Sequence, residues 1–322
     1  MKMSVMKVTL LCWFTIYFQG LFNGAYLTNR DLLNYQGQQS NFIDRNDFNF
    51  FGTPKTSHSH KIWAETSSTR DDNLALGNPS NAKTSIQNPD NYLMVKSQFS
   101  LSYNNSRGIA NWVSWHLSSS WKGEAKRCNC FKPDTELPES FFRVIPSMYK
   151  NTGFDKGHLC PSDDRDGSDQ DNAATFLMSN MIPQAPNNNQ ITWNRFEGYC
   201  RDLLKQGNEL YVISGGSGSG GIGRKGIINY TLANGKINVP AKTWKIVVVI
   251  PEGNNDLKRI TNQTRVIAID VPNTQSASSK PWFDYRTTID QIEKQTGFDF
   301  LSLVPLQIQT AIESRQDQLL VN

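Results

Sequence analysis

Phe154-Asp155-Lys156-Gly157-His158, Ser179-Asn180-Met181-Ile182-Pro183-Gln184 and Asn189-Gln190-Ile191-Thr192-Trp193-Asn194-Arg195-Phe196-Glu197 carry the densest chemistry in this 322-residue chain. The last stretch opens a helix. Over residues 192–206, Phe196, Tyr199, Cys200, Leu203 and Leu204 recur on a helical period that Gly207 ends. At roughly 100° per residue, Asn189, Trp193, Glu197 and Arg201 drift by roughly 40° per step and so share one stripe. An amide oxygen, a carboxylate and a guanidinium on one stripe suit a hard cation and a phosphate. An exposed helix face would show the same spacing.

The chain has four histidines. His58 and His60 stand as Ser-His-Ser-His in a polar tether, where solvated side chains are the expectation. His116 follows Trp115 in an apolar run and reads as a packed, satisfied side chain. His158 differs: it follows a glycine that lets the backbone approach closely, with Asp155 and Lys156 just before it.

Outward from these segments, short apolar runs alternate with turn signals. Residues 92–101, 112–117, 210–214 and 244–250 have the aromatic and β-branched content of strands, and residues 289–296 form a second helix stopped by Gly297. Strands with few helices and no regular βαβ alternation predict an α+β fold. Two look-alikes carry nothing. Gly216-Ser217-Gly218-Ser219-Gly220-Gly221 has the spacing of a dinucleotide loop, but no helical pattern follows, so a flexible loop between strands is expected. Asp163-Asp164-Arg165-Asp166-Gly167 resembles a calcium loop, but Ala173 stands where the bidentate glutamate belongs, so a solvated acidic loop is expected.

Residues 1–25 read as an export leader: Lys2 and Lys7 precede a largely apolar stretch over 8–22, with small residues at Gly24 and Ala25. An uncleaved membrane anchor is the alternative. Residues 26–70, rich in Asn, Gln, Ser and Thr, read as a tether, and 71–315 as one catalytic domain. Loss of Lys2 and Lys7 lowers the net charge from +4 to +2, too weak a bias to argue nucleic-acid binding from charge. Beyond Cys12 in the leader, Cys128, Cys130, Cys160 and Cys200 permit three disulfide pairings, with buried thiols an open alternative for Cys160 and Cys200. Their spacing lacks that of a zinc site. A secreted or periplasmic location is expected, with no membrane partner for the mature form.

The three segments resemble the DNA/RNA non-specific endonucleases of the ββα-metal class, and most closely their secreted cyanobacterial members. Asp155-Lys156-Gly157-His158 is similar to D-R-G-H, Ser179-Asn180 with Pro183-Gln184 to S-N-x-x-P-Q, and Asn189 through Glu197 to N-x-x-x-W-x-x-x-E. Gly77-Asn78-Pro79-Ser80 also fits, so the resemblance covers most of residues 73–310. It implies an α+β fold with a mixed or antiparallel sheet and a ββα-metal motif, acting on DNA and RNA. It further implies His158 as general base, Asn189 as the direct ligand of Mg2+ (or Mn2+), Glu197 as the acid ordering water around that ion, and Arg127 and Arg201 as phosphate-binding arginines. Lys156 and Asn180 are expected to contact substrate. Lys156 replaces the family's arginine, which keeps the charge and loses the planar fork. A protein inhibitor, as some relatives have, is a further partner the resemblance implies. A nucleic-acid scavenger without catalysis and a metal-dependent phosphomonoesterase are the competing functions.

Overall fold

A computed structural model describes residues 70–320. The expectations for the leader, the tether, His58, His60 and Cys12 concern residues outside that range. The strand at residues 242–251 shows how the sheet is built. Ile246, Val248 and Ile250 enter one apolar cluster, while Val247 and Val249 enter another. A strand apolar at both parities needs cover on both faces, and this one has it.

In chain order, the first strands are β1 (Tyr92–Val95), β2 (Ser100–Asn104), β3 (Ile109–Leu117) and β4 (Asp155–His158). Helix α1 (Asp169–Ala174), strand β5 (Met181–Gln184) and helix α2 (Asn194–Lys205) come after them. Next are β6 (Asn208–Ser217), the short ribbons β7 (Gly221–Ile222) with β8 (Ile228–Asn229) and β9 (Thr231–Leu232) with β10 (Ile237–Asn238), and β11 (Lys242–Pro251). The last elements are α3 (Asp256–Arg259), β12 (Arg265–Pro272), β13 (Arg286–Thr287), α4 (Ile289–Thr296) and α5 (Leu306–Glu313). Seven strands form the central sheet in the order β1-β2-β3-β6-β11-β12-β13, paired antiparallel throughout.

On one face, Met181 and Ile182 of β5, Trp193, and Phe196 and Leu203 of α2 share a core with Trp115, Val212 and Val247. On the other, Ile289, Ile292 and Ile312 of α4 and α5 pack with Tyr211, Ile213 and Val248. The α+β expectation is met. The ββα unit lies on the first face: β4 pairs antiparallel with β5, His158 opposite Met181, and α2 completes it.

Three expectations need correction. Residues 92–101 are not one strand. They turn at 96–99 into the β1–β2 hairpin, because the Lys96 amide bonds back to the Phe99 carbonyl while the Lys96 ammonium is drawn into a buried contact with Asp134. Gly216 and Ser217 lie inside β6 rather than in a flexible loop; a Cβ on Gly216 would come 2.7 Å from Pro240, so the ladder fits only a bare backbone there. The acidic loop is not simply solvated either. Asp164 and Arg165 are 3% and 0% exposed, since Asp164 accepts the Trp115 indole and pairs with Arg201.

Gly157 is required by the β4–β5 packing. A Cβ there would sit 2.2 Å from Gln184 Oε1 and 2.6 Å from Gln184 Cβ. Gly157→Ala is therefore expected to force the two strands apart and cost about 1–3 kcal/mol. Gly198→Ala, in α2 with nothing within 4 Å of the added Cβ, should stabilise by about 0.5–1 kcal/mol. Thermal unfolding of both variants checks the pair, and equal midpoints would contradict the close approach.

Candidate active site

His158 ends β4, and the backbone just beyond it is pinned. The Cys160 amide donates to Asn180 Oδ1 at 3.0 Å, while Asn180 Nδ2 donates to the carbonyls of Cys160 (2.8 Å) and Thr175 (2.9 Å). Asn180 is wholly buried, with both ends of its amide engaged. The expectation that it contacts substrate is thus corrected: it fixes the chain beside His158 from beneath. The imidazole meets Phe176 edge-to-face (4.8 Å between centroids) and Phe131 at a tilt (5.6 Å), and its Nε2 is buried without a hydrogen-bond partner. Burial, with Arg127, Lys156 and Lys245 adding positive charge, pushes the imidazole down to about 3. A ring that is costly to protonate stays neutral at physiological pH.

Asn189 stands in a π-helical turn, Asn188–Trp193, that precedes α2 where a regular helical start was expected. Two contacts hold this turn. Asn188 Nδ2 donates to Thr243 Oγ1 at 3.0 Å, and the Asn189 amide donates to the Ala185 carbonyl. Asn189 Nδ2 and Gln190 Nε2 both donate to Asp155 Oδ2, at 3.0 and 2.7 Å. With its nitrogen engaged by Asp155, the Asn189 amide keeps its oxygen for a cation.

Glu197, one helical turn beyond Trp193, is 12% exposed at its side chain. Its Oε1 accepts from Lys245 Nζ at 2.9 Å. Lys245 is 1% exposed and lies between two indoles, 5.1 Å from the Trp115 centroid and 4.6 Å from that of Trp193. Burial pushes the Glu197 carboxyl up, against the pull of Lys245. A second cation at its free oxygen would favour the ionised form.

Arg127, Lys156, His158, Asn189 and Glu197 line one cleft of about 280 Å3. A neighbouring cleft of about 540 Å3 shares Arg127, Lys156 and Asn189, which extends the groove past Phe131 and Lys150. Arg127 is exposed, held over the Phe176 ring at 5.0 Å and bonded to Asn129 Oδ1 at 3.1 Å. Lys156 Nζ sits 4.5 Å from the Phe131 centroid. Arg201 is not in that cleft. It pairs with Asp164 at 3.2 Å and Asp163 at 3.7 Å and lines an adjoining cleft with Lys122. Asp163 borders both clefts, so Arg201 is set one carboxylate away from the five.

Lys245 and Asp155 escaped the sequence reading as functional residues. The available signal for Lys245 was a lone cation inside the apolar run Trp244-Lys245-Ile246-Val247-Val248-Val249-Ile250. His116 is buried and satisfied, as expected. Its Nδ1 accepts from the Asp71 amide at 3.4 Å and its Nε2 meets Glu209 Oε2 at 3.2 Å. His116, Asp71, Glu209 and Asp256 offer ligand atoms within 4.8 Å of one another, but Arg259 already pairs with Glu209 and Asp256, and Tyr211 donates to Asp256. Two of its three carboxylates are thus already engaged by a guanidinium and a phenol of the protein. Cys128 and Cys130 form a disulfide directly after Arg127, whereas Cys160 and Cys200 are buried thiols.

Residues 76–307 match the family model described as DNA/RNA non-specific endonuclease. A nuclease of the cyanobacterium Nostoc sp. is 51% identical over 244 residues, spanning 76% of this chain and 85% of its own length. The mitochondrial nuclease EXOG of Danio rerio is 30% identical over 212 residues, 64% of this chain and 60% of its own length. Among solved structures, one from the EndoG/EndoGI complex overlays with a TM-score of 0.59 at 22% identity, covering 72% of this chain and 91% of that one. The fold likeness and the sequence matches agree: this chain belongs to the DNA/RNA non-specific endonuclease family and is a nucleic-acid-hydrolysing enzyme with a ββα-metal fold.

Proposed function

We propose that the enzyme is an exported endonuclease that hydrolyses phosphodiester bonds of DNA and RNA without sugar or sequence preference, with His158 activating the attacking water. The observation that carries this reading is the convergence of a neutral, desolvated His158 with Arg127, Lys156, Asn189 and Glu197 on one cleft. His158 Nε2 is enclosed, so Nδ1 is the edge left for taking the proton of water. Arg127 and Lys156 grip the phosphate by charge, and Arg201 reaches a flanking one. None of these groups reads a base edge, so base preference should be small.

The donor set fits a hard divalent ion. Asn189 offers a carbonyl oxygen whose nitrogen is already engaged, and Glu197 offers a carboxylate with one oxygen on Lys245. Asn189 would be the direct ligand of Mg2+, with Mn2+ a workable substitute, and Glu197 would order water beside it. Bound there, the ion supplies charge neutralisation at the phosphate and at the leaving oxygen. Lys245 keeps the Glu197 carboxylate in place while no ion is bound. The inhibition named for the EndoG relative extends to this chain as a proposal: a protein seated on the cleft would compete with substrate.

Export rests on Lys2, Lys7 and the apolar stretch after them. The Cys128–Cys130 disulfide supports it, since such bonds persist in oxidising compartments. Among the described residues no helix is long and apolar enough to cross a membrane. Amino-terminal sequencing of exported material should find the chain beginning near residue 25; an intact Met1 on membrane-bound protein would favour an anchor.

Release of acid-soluble oligonucleotides from circular plasmid and from RNA, with and without chelator, tests the reaction. His158→Ala should lose about 10²–10⁴-fold in turnover with little change in substrate binding, and Asn189→Ala should need more magnesium. Full cleavage by His158→Ala, or by wild type in excess chelator, would sink the mechanism. The pH profile carries the sign of the His158 shift. A depressed imidazole stays unprotonated to lower pH, so the acid limb of kcat/KM should lie below the ordinary 6.5. Lys156→Ala removes a positive charge beside the ring and should move that limb upward, toward 6.5. A limb at 6.5 or above in wild type, or one indifferent to Lys156, would contradict this electrostatic account.

A further inference from the structure

Away from the cleft, on the opposite face of the sheet, α4 and α5 bring three carboxylates together. Asp290 and Glu293 are three residues apart on α4 and share a face, and Glu313 is the last residue of α5. One oxygen from each lies within 4.8 Å of the other two. Glu313 is only 6% exposed, and its Oε1 has no hydrogen-bond partner. Glu293 Oε1 accepts from the Phe300 amide at 2.8 Å, which leaves its second oxygen open. Burial and the neighbouring carboxylates Glu293, Asp290 and Asp299 push the Glu313 carboxyl up to about 8, with a hydrogen bond from Gln309 opposing them. The position is also adverse for an anion, because a helix C-terminus carries the negative end of the dipole and unsatisfied carbonyls. A buried carboxylate so placed needs either a proton or a counter-cation.

We propose that Asp290, Glu293 and Glu313 form a calcium site joining α4 to α5, independent of the catalytic ion. Every donor is oxygen, which selects a hard cation over zinc or copper. Three carboxylates converging for direct contact suit calcium, which accepts irregular oxygen shells, better than magnesium, which sheds its water reluctantly. The site is a structural staple. α4 and α5 cover one apolar face of the sheet through Ile289, Ile292 and Ile312, and tying them together secures that cover.

Thermal unfolding with calcium alone as the probe tests this, comparing chelator with about 5 mM Ca2+, above the roughly 10⁻⁴–10⁻³ M affinities of extracellular calcium modules. The midpoint should rise by about 2–4 °C in wild type. The same rise should appear in Asn189→Ala, which removes the catalytic ion's ligand and so separates the two sites. Glu313→Gln relieves the buried charge; it should unfold at a higher temperature than wild type in chelator and show no calcium response. Asp290 is exposed, so Asp290→Asn will fold, and it should bind calcium at least tenfold more weakly by calorimetric titration while cleaving DNA normally in magnesium. No calcium-dependent shift in wild type would overturn the proposal, with Glu313 then holding a proton. So would a shift that persists unchanged in Glu313→Gln or Asp290→Asn.

Discussion

An ammonium ion sealed between two indoles has no water to solvate it, so Lys245 requires an anion within reach, and Glu197 is that anion. The pair ties β11, in the middle of the central sheet, to the first turn of α2. Trp115 of β3 and Trp193 of the π-helical turn complete the enclosure, so four elements are referenced to one charge. If Glu197 were removed, a buried cation would be left uncompensated, a loss on the order of 3–5 kcal/mol. The same arrangement leaves one Glu197 oxygen facing the cleft. A constraint that stabilises the fold thus also presents a carboxylate to the cleft.

In the rest of the cleft, too, the groups that line it are held in place by contacts from neighbouring segments. Asp155 takes the Asn189 nitrogen and turns the oxygen outward. Asn180 clamps the chain after His158, and Gly157 lets β4 lie against Gln184. Phe131 and Phe176 wall the imidazole, and each also carries a cation, Lys156 and Arg127 respectively. Those two cations and the low-dielectric walls act in the same direction on His158, since both disfavour its protonated form.

The features legible in the sequence were local ones. His158, Asn189 and Glu197 stand in compact motifs, and the helix that bears Glu197 announces itself by its apolar period. The helix Ile289–Thr296 was legible to the residue because Gly297, at φ 73°, ends it in a conformation glycine favours. The supports were not legible, because they arise from contacts between distant positions: Lys245 lies 48 residues from Glu197 and Asp155 lies 34 from Asn189. Asn180 shows the complementary failure. Its residue type suits substrate contact, but only the fold reveals that its amide points into the protein. The π-helical turn at Asn188–Trp193 has no periodic signature; it is held by Asn188 reaching Thr243 of β11, 55 residues away. Arg201 shares the helical stripe with Glu197, yet Asp163 and Asp164 draw it toward the adjoining cleft.

Asn189 and Glu197 are proposed as the cation-binding edge of the cleft, with His158 facing it. The most direct measurement is anomalous X-ray scattering from crystals soaked in Mn2+. A peak is expected within about 2–2.3 Å of Asn189 Oδ1, on the side where Glu197 presents its free oxygen. A strong peak on the Asp71–His116–Glu209–Asp256 group with none at Asn189, or no ordered manganese in the cleft, would contradict that assignment.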